Sequence, residues 1–191
     1  MTVEQVVVIL LTSILVNNVV TYFGFGNVAM GDSIKSFRFT YISCIIFTVG
    51  LLFSAFANYA INQYFFVKFN MTDFSVLGHL AIAVSCVFFG GLIVYKKSPN
   101  TFFLLKDNTY IITFTAMIVG ASIFVCAEAN GWLELLLYWV GMSIGYTLIT
   151  CILHSFSGYS RRNPYGFTMY IFNMLTIAII SIIAMNFMAL L

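Results

Sequence analysis

Two adjacent carboxamides, Asn17 and Asn18, sit halfway along an apolar run that starts at Thr12, and Gly24 and Gly26 follow them. In hydrocarbon such a pair is expensive unless the backbone breaks there and lines a cavity enclosed by protein. The chemistry of such a place is backbone relief and polar lining. The alternative is ordinary packing, in which an Asn bonds across a helix interface for about 0.6 kcal/mol. Consecutive helical residues diverge by roughly 100°, so one neighbouring helix cannot take both amides.

Other reactive side chains are sparse. Cys44, Cys86, Cys126 and Cys151 fall in four different apolar runs, with no C-x-x-C pair and no His at ligand spacing, so buried free thiols are expected and no metal ligand is assigned. His79 and His154 lie near opposite ends of their runs, where hydrogen-bonded imidazoles facing the interface are expected rather than a proton relay. Glu128 and Glu134 bracket a turn and are expected to be solvated; reaching inward, Glu128 would be a cation entry group. There is no dinucleotide-binding glycine motif, no P-loop, no H-E-x-x-H, and no charged pair inside an apolar run that could work as acid and base. A self-contained catalytic site is therefore not expected, and none is assigned.

The elements that must position these groups are membrane helices. Of 191 residues, 62% are hydrophobic and 7% charged, where a soluble domain carries about 25% charged residues. Six spans follow from hydropathy, at 4–25, 39–61, 74–95, 109–129, 133–156 and 166–190, within one membrane domain over 1–191. The start, Met1-Thr2-Val3-Glu4, lacks a basic n-region, so a cleaved signal peptide is not expected. The net charge of +2 gives no reason to expect nucleic acid as a partner.

Lys35, Arg38, Lys96, Lys97, Lys106, Arg161 and Arg162 fall on alternate connections, and only Lys68 lies opposite. The positive-inside rule then puts those connections in the cytoplasm and both termini outside. Three spans per half make the halves opposite in topology, so repeat one (1–95) and repeat two (100–191) form a candidate inverted repeat. Such repeats build their sites at the midplane, from discontinuous helices in corresponding positions. Span four should answer span one, and Ile112 to Gly120 supplies the counterpart polar groups Thr113 and Thr115. Gly141-Met142-Ser143-Ile144-Gly145 is a G-x-x-x-G that suits close helix packing, while Tyr59, Tyr64, Trp132 and Tyr165 read as interfacial anchors.

The run Thr12 to Asn18 with its Gly-containing break, Lys97-Ser98-Pro99 with Phe103-Leu104-Leu105, Ile111 to Gly120, and Asn163-Pro164-Tyr165-Gly166 together resemble the A subunit of the Rnf electron-transport complex, a family similar to the E subunit of the sodium-pumping NADH:quinone oxidoreductase. The resemblance covers essentially the whole chain. It implies pairing with a paralogous six-helix membrane subunit, partner subunits bearing flavin and Fe–S groups, and Na+ or H+ movement. It also implies a shared intramembrane 2Fe–2S cluster, held by cysteines of the broken first and fourth helices. At the matching places this chain reads Gly26-Asn27-Val28 and Thr115-Ala116, with no thiolate, and the Arg-Glu-Arg expected after span five is replaced by Ser157-Gly158-Tyr159. Ligation relocated to the four cysteines present is the alternative.

The expectation is thus an all-α integral membrane protein of six transmembrane helices, arranged as two inverted three-helix repeats with broken first and fourth helices. It would sit as a multi-pass protein in a bacterial inner (cytoplasmic) membrane, both termini on the outer side. Its expected function is that of a subunit of an Rnf/Nqr-like ion-translocating electron-transport complex, lacking the usual cluster cysteines. Asn17, Asn18, Gly24, Gly26, Thr113 and Thr115 would line the midplane. The alternatives are the membrane module of a small-molecule or ion transporter and a structural assembly subunit.

Overall fold

The computed structural model describes residues 3–15, 17, 37–71, 74–97, 108–160, 175–176, 178–180, 182–183 and 186. Among them the chain is wholly helical, with no strand. The long helices are α1 (Val3–Leu15), α2 (Phe37–Ile61), α3 (Ser75–Lys97), α4 (Asn108–Glu128) and α5 (Trp132–Ser160). By length and composition, Thr40–Phe66, Ser75–Ile93 and Trp132–Ser155 can each cross a membrane, and Val3–Leu15 and Thr115–Glu128 are shorter apolar helices. The chain is a multi-pass membrane protein. Helices α2 to α5 match the hydropathy reading of 39–156 to within a few residues, and within 166–190 the described residues 175–176, 178–180, 182–183 and 186 are helical.

α2 runs on through a π-helical segment, Asn62–Phe66, in which the Val67 N–H donates to the Asn62 carbonyl at 3.0 Å. The Met71 N–H reaches back five residues in the same way, to the Phe66 carbonyl at 2.9 Å. Asn70, at φ 54°, turns the chain out of the helix. Asn tolerates this left-handed backbone because its short side chain bonds locally. At the turn between α4 and α5, the Glu134 carboxylate accepts from the Asn130 N–H at 2.9 Å and from the Asn130 side-chain amide at 3.3 Å, which fixes the start of α5.

The core lies between α2, α4 and α5. It is built from Phe47, Leu51 and Ala55, from Met117, Ala121 and Val125, and from Leu135, Met142 and Leu153, all fully buried. Phe47 stacks on Tyr146 with ring centroids 4.3 Å apart, the Trp139 indole N–H donates to the Thr48 carbonyl at 2.9 Å, and Tyr59 meets Trp132 edge-on at 4.7 Å. Contacts that rise along α2 while falling along α5 make the two helices antiparallel. α3 leans on α2 and α4 and turns most of its surface outward, including Phe88 and Phe89.

Glycines set two close helix crossings. α1 packs along α5, and a Cβ added at Gly141 would run into the Ser13 hydroxyl and lie 2.8 Å from Ser13 Cβ. α4 packs along α2, where a Cβ at Gly50 would lie 2.7 Å from Ile118 Cδ1. Within a bilayer, association rests on van der Waals contact between closely approaching backbones, so small residues belong at such crossings. Gly141 opens the G-x-x-x-G picked out in the sequence.

Candidate functional site

Polar groups that a membrane core must satisfy gather on one face of α2. Ser54 and Asn58, four residues apart and so on one helix face, are both fully buried, with Ser122 of α4, also fully buried, opposite them. The Asn58 amide donates to Ser122 Oγ at 3.0 Å, and the Ser122 hydroxyl donates to the Val119 carbonyl at 3.0 Å. One turn along, the Cys126 thiol donates to the Ala55 carbonyl at 3.7 Å. α2 and α4 are thereby joined side by side. The Ser54 hydroxyl and the Asn58 carbonyl oxygen have no protein partner.

A second polar group lies toward the start of α2. The Cys44 thiol donates to Thr150 Oγ1 at 3.9 Å, and Thr150 in turn donates to the Tyr146 carbonyl. A shallow cavity of about 310 Å³ opens beside them, lined by Thr40, Tyr41, Thr48, Thr147 and Cys151 among others. Tyr41 and Cys151 are exposed at its mouth.

Of the residues expected to line the midplane, Asn18, Gly24 and Gly26 lie outside the described residues. Asn17 lies in a bend just beyond the last residue of α1, and its N–H donates to the Thr12 carbonyl, five residues back, at 2.8 Å. Thr115 is half-buried on α4; Thr113 lies on the same helix, in a stretch whose side chains are outside the described set. α1 has α5 as its packed neighbour, whereas α4 lies on α2 and α3.

Several other groups sit differently from the sequence reading. His79 is buried rather than interface-facing, its ring 6.3 Å from that of Phe66, and its Nε2 has no protein partner. Tyr59 is an inward packing residue against Trp132, not an anchor, whereas Tyr64 is exposed as an anchor should be. Glu128 is exposed and Glu134 is half-buried in its turn. All four thiols are free, with Cys44 and Cys126 buried and Cys151 exposed. The sequence reading passed over Ser54, Asn58 and Ser122. The available signal was a polar i, i+4 pair inside span two, as costly in hydrocarbon as the pair in span one.

A 2Fe–2S cluster does not fit these residues. Among the described residues no three of His, Cys, Asp and Glu gather. Cys126 is engaged with Ala55 and Cys44 with Thr150, about 16 Å apart along α2. The whole chain has four cysteines, none of them before Cys44.

No protein-family model matches the chain. It is similar to the A subunit of the ion-translocating oxidoreductase complex of Thioalkalivibrio sulfidiphilus, 26% identical over 148 residues and 77% of each chain. Its similarity to the protein of the same name in Aromatoleum aromaticum is 24% identity over 160 residues, 83% of this chain and 81% of that one. The chain is thus similar to A-subunit proteins of this complex over more than three quarters of its length. A shorter match to the corresponding protein of Pseudoalteromonas translucida, 24% identical over 102 residues and 53% of each chain, agrees with it.

Proposed function

We propose that this chain is a membrane subunit of an ion-translocating oxidoreductase complex, paired with a paralogous six-helix subunit. The observation that carries the reading is the relationship to A-subunit proteins over more than three quarters of the chain. The fold adds a crossed pattern. The first helix of each half packs on the second helix of the other, α1 on α5 at Gly141 and α4 on α2 at Gly50, while α2 and α5 meet antiparallel in the centre. Exchanging the halves carries one glycine crossing into the other, as an inverted repeat of 1–95 and 100–191 requires. The bend at Asn17 supports a first span that opens at the doubled amide. Asn17, Asn18, Gly24, Gly26, Thr113 and Thr115 would then line the midplane, and both termini would face the outer side of a bacterial inner membrane.

Within that complex the chain supplies scaffold and polar lining and no ligand to an Fe–S cluster; flavin and Fe–S groups belong to its partners. The test is the iron content of the purified complex before and after all four cysteines of this chain are changed to Ser. Unchanged iron is expected. Stoichiometric loss of iron, with the subunits still together, would overturn the cluster-free role.

A further inference from the structure

We propose that Ser54, Asn58 and Ser122 form a binding site for one dehydrated monovalent cation, enclosed between α2 and α4. The case rests on which lone pairs remain unused. The Ser122 hydroxyl proton is committed to the Val119 carbonyl, so Ser122 meets Asn58 as an acceptor, which fixes the amide nitrogen toward it. The Asn58 carbonyl oxygen is then left buried with no protein donor. The nitrogen end of the amide is thus satisfied and the oxygen end is not. Ser54 Oγ, one turn away on the same face, is equally buried and equally unpartnered. What the Ser54 and Asn58 oxygens lack is a positively charged or polarised partner, and Ser122 Oγ lies beside them with a lone pair to spare.

The donor set selects the class of ion. Hard, neutral oxygens suit an alkali cation; transition metals seek nitrogen and sulfur, and divalent calcium recruits carboxylates. Among the described residues no cluster of His, Cys, Asp and Glu competes for that role. The position is also apt, since Ser54 lies about 21 Å along α2 from Thr40, well inside the 27-residue apolar span Thr40–Phe66. The proposal deepens the ion-translocating reading and rests on it for its meaning in the cell.

The test is equilibrium binding of radioactive sodium to the full chain purified in its complex, with potassium as competitor and choline as the ionic-strength control. Saturable binding is expected, weakened about tenfold by Ser54→Ala and abolished by Asn58→Leu, as loss of an oxygen from a charged guest implies. Asn58→Asp, which keeps an oxygen at the site and adds charge, should bind sodium more tightly, and it guards against a misfolded Leu variant. Binding that is absent, or that is equal in all four proteins, would overturn the proposal and leave a site for water only. Flavin is measured in the same preparation. Its absence would refute the complex-subunit reading, whereas flavin present without sodium binding would refute this site alone.

Discussion

Gly141→Ala isolates the α1–α5 crossing. The new Cβ would lie 2.8 Å from Ser13 Cβ and 3.3 Å from the Leu10 carbonyl oxygen, and would meet the Ser13 hydroxyl outright. Carbon atoms rest about 3.5–4.0 Å apart, so the two helices must separate locally by about 1 Å. A Cβ cannot swing aside as the end of a long side chain can. Overpacking of this kind costs about 1–3 kcal/mol, against a gain of about 1 kcal/mol from replacing a mid-helix Gly by Ala. The single variant should therefore lose about 1 kcal/mol. In a Ser13→Gly background both clashing atoms are gone, and the same substitution should gain about 0.5–1 kcal/mol. A double-mutant cycle on the purified chain, unfolded in mixed micelles of increasing SDS content, should report a coupling of about 2 kcal/mol. Additive effects within about 0.5 kcal/mol would refute the crossing.

Gly90 provides the contrast, since a Cβ there meets nothing within 4 Å; Gly90→Ala should be neutral or stabilising by up to about 1 kcal/mol in the same unfolding assay. Gly50→Ala should cost less than Gly141→Ala, because the atom in the way is the far end of the Ile118 side chain, and Ile118→Val should relieve most of the loss. Trp139→Phe removes the donor to the Thr48 carbonyl at 2.9 Å and should cost about 1 kcal/mol, read as a lower unfolding midpoint. Replacing Ser13 and Gly141 together by Cys should give a rapid cross-link under mild oxidation, whereas Cys at Gly90 and Gly141 should not cross-link within the chain.

Much of this fold could be read from the sequence because a membrane imposes length. The boundaries of spans two to five come from apolar runs that must cover hydrocarbon, and the structure moves them by only a few residues. The G-x-x-x-G at Gly141 was legible for the same kind of reason, since small residues have few other uses on such a helix. Facing was not legible. A helix that is apolar all round gives no stripe to separate lipid from protein, so nothing marked Tyr59 or His79 as inward and Phe88 as outward. The π-helical continuation past Ile61 was hidden as well, because Asn62 and Gln63 read as the end of a span. Ser54 and Asn58 were missed because each alone resembles packing, and their burial opposite Ser122 depends on how α2 and α4 meet.

The most direct measurement is purification of the tagged chain from its native membranes, with every co-purifying subunit identified. A second six-span membrane subunit together with flavin-bearing and Fe–S-bearing subunits, in fixed proportion to this chain, is the predicted result. A chain that emerges alone, or bound to an ATPase with no redox partner, would contradict the account.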